Sequence, residues 1–179
     1  NSRVVLKNVL LNKTRIEAFK VLEKMGARIE FKQIHNDFER VGEICVESSH
    51  LRAVSVSENI SWLIDEAPAL AIAFACAEGV SRLTNAKELR VKESDRISAV
   101  VQNLQRCGIK AKELDDGFEI QGGVAKRAKI QSFGDHRIAM SFAILGLKCG
   151  MDIDECECIN TSFPNFLSLL ESLGAVVEK

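Results

Sequence analysis

The chain lacks the spacings on which metal-binding and disulfide-rich domains are built. Its six cysteines, Cys45, Cys76, Cys107, Cys149, Cys156 and Cys158, form no Cys-x-x-Cys pair, and only three histidines accompany them. Neither the spacing nor the partners of a zinc site are in place, and the composition excludes a disulfide scaffold. Reduced, structural thiols in a cytoplasmic protein are the expectation. An excess of charge is missing too: 24 Lys+Arg stand against 25 Asp+Glu, a formal net charge of −1. That balance argues against a general nucleic-acid or membrane-surface binder, while leaving local basic clusters open. No apolar run approaches the roughly 20 residues that span a bilayer, and no basic-then-apolar leader opens the chain. There is no Pro/Ser-rich linker and no low-complexity tract. There is no opening Met either: the chain starts at Asn1 inside an apolar run (Val4, Val5, Leu6), so a piece of a longer protein is expected.

What is present is globular. Hydrophobic residues make up 46% and charged ones 27% of 179 residues, enough for one buried core and a single domain over 1–179. Three stretches resemble one another, each with apolar residues at helical spacing, then Leu-x-x-x-Gly, then a β-rich run. Residues 14–26 carry Ile16, Phe19, Leu22 and Met25 on one stripe; 94–108 carry Ile97, Val100, Val101 and Leu104; 163–174 carry Phe166, Leu169, Leu170 and Leu173. The i, i+3, i+4, i+7 pattern predicts amphipathic helices, and the Gly beyond each fits the position that ends a helix.

Two further helices, 68–77 and 138–147, are apolar nearly all round and rich in small residues, which predicts burial. Each is followed by Gly and a short β-like run. Asp115-Asp116-Gly117 between two alternating runs predicts a hairpin turn. The predicted fold class is α/β (α+β): repeated βαβαββ units, with sheets around the buried apolar helices and the amphipathic helices outside. Residues 32–57 read only as strands and turns. Cys76, Cys107 and Cys149 fall in helix-like apolar stretches, where a free Cys behaves as a small hydrophobe. Cys156 and Cys158 alternate along 151–159, so a strand there would set them on one face.

The anomaly is where the cations stand. Helix N-termini carry partial positive charge and unpaired N–H groups, so acidic residues belong there. Yet Lys13 and Arg15 flank Thr14, Lys92 and Arg96 flank Ser94, and His136 and Arg137 follow Asp135. Thr14, Ser94 and Asp135 read as N-caps, which puts the basic side chains on first turns. Each costs about 0.3–1 kcal/mol against the dipole unless an anion compensates. A helix start with Arg or Lys makes a phosphate or carboxylate site. Local pairing is the alternative, since Glu93 lies three residues before Arg96 and Asp135 two before Arg137. Asp65-Glu66-Ala67-Pro68 is ordinary helix-opening grammar, yet a carboxylate beside an anion site can also move a proton. His35 and His50 lie in polar stretches and read as solvated.

At Leu89-Arg-Val-Lys-Glu-Ser-Asp-Arg96 these residues fall into a known pattern. Together with Asp65-Glu-Ala-Pro-Ala-Leu-Ala71, Gly134-Asp-His-Arg-Ile-Ala-Met140 and Thr161-Ser-Phe-Pro164, the chain resembles the 5-enolpyruvylshikimate-3-phosphate synthase (3-phosphoshikimate 1-carboxyvinyltransferase) family, from about Val9 to its end. The resemblance implies a two-domain enzyme of which this chain is the C-terminal portion, with the N-terminal domain absent. It implies transfer of the enolpyruvyl group of phosphoenolpyruvate to the 5-hydroxyl of shikimate 3-phosphate, by addition–elimination, within aromatic amino-acid biosynthesis. No metal or organic cofactor is implied, and the fragment alone is expected to be inactive.

By the same resemblance Arg96 and Arg137 clamp phosphoenolpyruvate, and Lys92 contacts the acceptor and the reacting centre. Asp65 orients the 5-hydroxyl and helps remove its proton, and Glu93 sits by the methylene carbon. His136 is a further candidate. Two positions depart from one branch of the family: Thr161 stands where that branch has Lys, and Glu88 where some members have Asn. Both departures match the branch less sensitive to glyphosate, an inhibitor that occupies the phosphoenolpyruvate site. Two other readings compete: a transferase acting on UDP-N-acetylglucosamine, against which the Lys-Glu-Ser-Asp-Arg run argues, and a non-catalytic folding fragment.

Overall fold

Leu-x-x-x-Gly proves to be a helix terminator used three times. In the computed structural model, which describes residues 2–36 and 38–178, helices α1 (Lys13–Lys24), α3 (Arg96–Arg106) and α5 (Phe166–Ser172) all end alike. Gly26, Gly108 and Gly174 take φ of +95°, +77° and +97°. Their amides donate to the carbonyls of Glu23, Gln105 and Glu171, and the next residue's amide reaches back to Leu22, Leu104 and Leu170. This is the Schellman arrangement, with the repeated Leu at the position that receives the longer bond. Asn1, where the chain opens, and Asp37, within the stretch 32–57, lie outside the described residues.

The strands are β1 (Arg3–Leu10), β2 (Arg28–Asn36), β3 (Arg40–Glu47), β4 (Ser55–Val56), β5 (Val80–Leu83), β6 (Lys110–Leu114), β7 (Gly117–Gln121), β8 (Lys129–Ile130) and β9 (Asp152–Ile153). The remaining helices are α2 (Ala67–Ala75) and α4 (His136–Cys149), with short 3-10 turns at Ile60–Trp62, Lys87–Val91 and Cys156–Thr161. Among the described residues three sheets form, in the orders β1-β3-β2, β4-β5-β7-β6 and β8-β9. The run β4-α2-β5-α3-β6-β7 is one full βαβαββ unit: β4 and β5 pair parallel, β7 pairs antiparallel with both β5 and β6. The order β1-β3-β2 around α1 repeats the last four elements of that unit. The parallel pair β8-β9 with α4 and α5 repeats its first four. Repeated units are thus found, with the middle one alone complete among the described residues.

The core gathers around α2. Leu70, Ala71, Phe74 and Ala75 are buried with Val100 and Leu104 of α3, Phe118 and Ile120 of β7, and Ile138 and Phe142 of α4. The rings of Phe74 and Phe118 meet edge-on, 6.3 Å between centroids, a favoured aromatic geometry. The hairpin at Asp115-Asp116 is as expected, with Leu114 opposite Gly117.

Several expectations are corrected. Helix α4 buries one side only; Ile144 and Leu147 remain 43% and 56% exposed. The two-residue strands β8 and β9 offer it far less cover than the four-stranded sheet gives its counterpart α2. Helix α3, by contrast, is the amphipathic outer helix expected: it buries Ile97, Ala99, Val100, Val101 and Leu104 and leaves Gln102, Gln105 and Arg106 outward. The β-rich run 175–177 forms no strand. Cys156 and Cys158 lie in a 3-10 turn, because Glu155 at φ +47° turns the chain just past β9. All six thiols are free.

Two glycine substitutions separate conformational from steric demand. Gly108→Ala, in nearly open space, is expected to cost about 1–2 kcal/mol for its left-handed backbone. Gly117→Ala is expected to cost more, since its Cβ would lie 1.9 Å from the Leu83 carbonyl oxygen. Urea midpoints of the two variants test the order; a Gly117→Ala midpoint above that of Gly108→Ala contradicts it.

Candidate active site

Helices α3 and α4 begin side by side, and the residues that cap them do more than cap. Asp95, rather than Ser94, is the N-cap of α3: its carboxylate accepts from the Ser98 amide at 3.0 Å. Ser94 stands one residue outside the helix and donates its hydroxyl to Asp135 at 3.0 Å. Asp135 caps α4 as expected, accepting from the Arg137 amide at 2.9 Å. On α1 the cap is Asn12, not Thr14, because the amides of Arg15 and Ile16 both bond the Asn12 carbonyl.

Arg96 is the hub. It opens α3 with its side chain 1% exposed, and each of its three nitrogens meets a carboxylate. Nε donates to Asp135 Oδ2 at 2.9 Å, Nη1 to Asp65 Oδ1 at 3.2 Å and Nη2 to Glu93 Oε2 at 2.6 Å. Arg137 reaches the same aspartate, Nη2 lying 3.1 Å from Asp65 Oδ2 and Nη1 donating to the Asp65 carbonyl at 2.9 Å. Asp65 therefore bridges two guanidinium groups. Asp65, Glu93, Arg96 and Arg137 form one hydrogen-bonded cluster, although their elements are separated in sequence.

Lys92 stands apart from that cluster: its ammonium pairs with Glu88 at 2.5 Å. His136, at the first position of α4, is half-buried beside the cluster and makes no hydrogen bond to it among the described residues. Thr161 turns its hydroxyl to the Cys158 carbonyl at 2.7 Å. Of the two alternatives for the basic helix starts, local pairing holds at the start of α3, for Glu93–Arg96 and Glu88–Lys92, and not for Asp135–Arg137. Asp135 gives Arg137 a backbone cap and spends its charge on Arg96, 39 residues away.

Sequence reasoning read Asp135 only as a cap and missed its second role. No local spacing connects it with Arg96; a signal lay only in its falling within one of the motifs. Glu66 was also passed over. It is the N-cap residue of α2, and burial pushes its carboxyl above the usual 4.5. The Arg137 charge opposes that shift, the Asp65 charge adds to it, and the Arg15 charge lowers it further. The starts of α1, α2 and α4 therefore act on one carboxyl group.

Asp135 itself is fully buried. Burial alone would raise its pKa, but the bond and charge of Arg96, the Arg137 amide and the Ser94 hydroxyl together bring it below the ordinary 3.8. The Arg96 and Arg137 guanidinium groups, joined at Asp65, suit planar, bidentate recognition of carboxylate or phosphate. The half-exposed carboxylates of Asp65 and Glu93 sit where a proton could be exchanged with such a ligand. Among the described residues no group of three or more His, Cys, Asp or Glu side chains is placed to hold a metal ion. The Arg96 guanidinium fills the centre of the carboxylate group.

The model of one protein family, EPSP synthase (3-phosphoshikimate 1-carboxyvinyltransferase), matches residues 1–170. Curated relatives named 3-phosphoshikimate 1-carboxyvinyltransferase include one from Campylobacter jejuni subsp. doylei, 65% identical over 178 residues. Another, from Campylobacter curvus, is 66% identical over 178 residues. Each alignment covers 99% of this chain and 42% of the relative, so the chain spans about two-fifths of the length of the curated relatives it matches. A solved EPSP synthase from Acinetobacter baumannii superposes with a TM-score of 0.93 at 37% identity, over 98% of this chain and 42% of that one. The enolpyruvyl transferase NikO from Streptomyces tendae, at TM-score 0.67 and 18% identity over 89% of this chain and 35% of its own, shares the fold.

Removing the two arginines should have unequal effects on stability. Arg96→Met strands a buried carboxylate and is expected to cost about 3–5 kcal/mol. Arg137→Met removes a more exposed partner and should cost about 1 kcal/mol or less. The pH dependence should also change sign. A carboxyl whose folded pKa is depressed adds stability above its unfolded pKa and loses it as pH falls through the folded value, so Asp135 stabilises the wild type at neutral pH. Without Arg96 its folded pKa rises, and mild acid should then stabilise the variant. Urea unfolding at neutral and mildly acidic pH checks both; an Arg96→Met variant as stable as Arg137→Met contradicts the buried-pair account.

Proposed function

Because the chain belongs to the EPSP synthase family, we propose that the protein of which it forms part transfers the enolpyruvyl group of phosphoenolpyruvate to the 5-hydroxyl of shikimate 3-phosphate. Phosphate is released, and the reaction serves aromatic amino-acid biosynthesis in the cytoplasm. The observation that carries this reading is the joining of Arg96 and Arg137 through Asp65, which sets two guanidinium forks beside two half-exposed carboxylates.

In this reading the chain is the C-terminal domain of a two-domain enzyme, and the N-terminal domain supplies the rest of the cleft, including most of the grip on the shikimate phosphate. Arg96 and Arg137 hold the carboxylate and phosphate of phosphoenolpyruvate. Asp65 orients the 5-hydroxyl and takes its proton as oxygen bonds the enol carbon. Glu93 delivers a proton to the methylene carbon, giving a tetrahedral intermediate. Glu93, ionised by that transfer, takes a proton back from the resulting methyl group as phosphate leaves the adjacent carbon with the proton held by Asp65, which restores the double bond in the product. Lys92 exchanges Glu88 for the acceptor and the reacting centre. Alone, the 179-residue chain is a folded but inactive domain.

Phosphate release by the full-length parent protein tests this, with phosphoenolpyruvate and either shikimate 3-phosphate or UDP-N-acetylglucosamine as acceptor. Release with shikimate 3-phosphate alone is expected, and none from the isolated chain. Release only with the UDP-sugar, or with neither acceptor, would overturn the reading. In the full-length protein Arg137→Ala should lower kcat/KM by about a hundredfold or more, as loss of a charge-stabilising donor does.

A further inference from the structure

Asp135 contacts the machinery of the proposed reaction from behind. Its Oδ2 accepts from Arg96 Nε at 2.9 Å and from the Ser94 hydroxyl at 3.0 Å, while Oδ1 accepts from the Arg137 amide at 2.9 Å. One carboxylate, itself fully buried, therefore joins the Arg96 side chain on α3 to the backbone that starts Arg137 on α4. Nε is the guanidinium nitrogen nearest the stem. Holding it leaves Nη1 and Nη2 aimed at the Asp65–Glu93 side, where the two forks meet.

The loop that delivers Asp135 is itself built with strain. Phe133 takes φ +56° and Gly134 φ +67° in succession, and a left-handed conformation at a bulky aromatic residue persists only where its surroundings impose it. Here they do. The Ser132 amide donates to Asp154 Oδ1 at 2.8 Å, the Gly134 amide to the Ser132 hydroxyl at 3.1 Å, and the Asp135 amide to the Ser132 carbonyl at 3.1 Å. These bonds fix the backbone that presents Asp135 to Arg96.

We propose that Asp135 is a positioning residue for phosphoenolpyruvate binding: it fixes the Arg96 fork and sets its separation from Arg137, so that the two guanidinium groups close on one ligand. This rests on the transferase reading above. Asp135 does not touch substrate and acts through the two arginines.

Two variants of the full-length enzyme isolate the role. Asp135→Ser keeps a hydroxyl able to cap the Arg137 amide but too short to reach Arg96. Asp135→Asn keeps the shape but sets an NH2 donor against either Arg96 Nε or the Arg137 amide. Both are expected to raise the KM for phosphoenolpyruvate by about tenfold or more, as loss of an orienting partner does, with the KM for shikimate 3-phosphate unchanged. A second readout is independent of turnover: the Arg96 Nε–H resonance, slowly exchanging in wild type, should be lost from the slowly exchanging set in Asp135→Ser. A wild-type KM for phosphoenolpyruvate in Asp135→Ser, or equal rises for both substrates, would overturn the proposal. So would an unchanged Nε–H resonance. Wild-type enzyme without turnover on shikimate 3-phosphate would instead overturn the transferase reading, and the resonance would still decide whether Asp135 orients Arg96.

Discussion

The site depends on one buried ion pair. Arg96 and Asp135 are 1% and 0% exposed at the side chain, and the sealed Asp135 carboxylate could not be held there charged without the guanidinium. Desolvating two such groups is expensive, so their pairing is weak evidence for extra stability. Its consequence is geometric. Because both must satisfy each other, the start of α3 and the start of α4 have little freedom to move apart, and the Ser94 hydroxyl and Arg137 amide are drawn into the same carboxylate. The positions of Arg96 and Arg137 relative to one another follow from that constraint.

The scaffold that brings these starts together is repetitive, and its repetition has a physical unit. In the middle unit a buried helix, α2, is flanked by parallel strands and followed by an outer helix whose Schellman end turns the chain into an antiparallel pair. The same grammar places α4 beside α2. Their N-termini then open on one side of the molecule, where Asp65, just before α2, can bond the Arg137 side chain at the start of α4. Repetition of a fold element thus becomes juxtaposition of helix starts, which is what an anion-binding cluster requires.

What could be read from the sequence follows the range of each interaction. Leu104-x-x-x-Gly108 and Asp115-Asp116-Gly117 were legible because a Schellman end and a two-residue hairpin are decided within a few residues. Helix α2 was legible because its composition leaves it no polar face. Helix α4 is also largely apolar between Ile138 and Leu147, yet Ile144 and Leu147 stay exposed, since burial depends on what the rest of the fold lays over them. At the site, the basic helix starts and Asp65, Glu93, Arg96 and Arg137 were legible, whereas the partner of Arg96 was not. Asp135 lies 39 residues away, and only tertiary structure joins them. Ser94 for Asp95 was an error of one residue, within the reach of either side chain as a cap.

The three carboxylates around Arg96 differ in one respect that decides what each can do. All of them offset the cost of a cation at a helix start, but Asp135 is sealed from solvent while Asp65 and Glu93 are 51% and 49% exposed. A sealed carboxylate held below its ordinary pKa remains an anion through the neutral range, so it cannot carry protons and can only orient. An exposed one can release its guanidinium nitrogen to an incoming anion at modest cost, because water screens both groups. The division of labour therefore arises from depth. Asp135, behind Nε, fixes the fork, while Asp65 and Glu93, in front at Nη1 and Nη2, stand open to solvent.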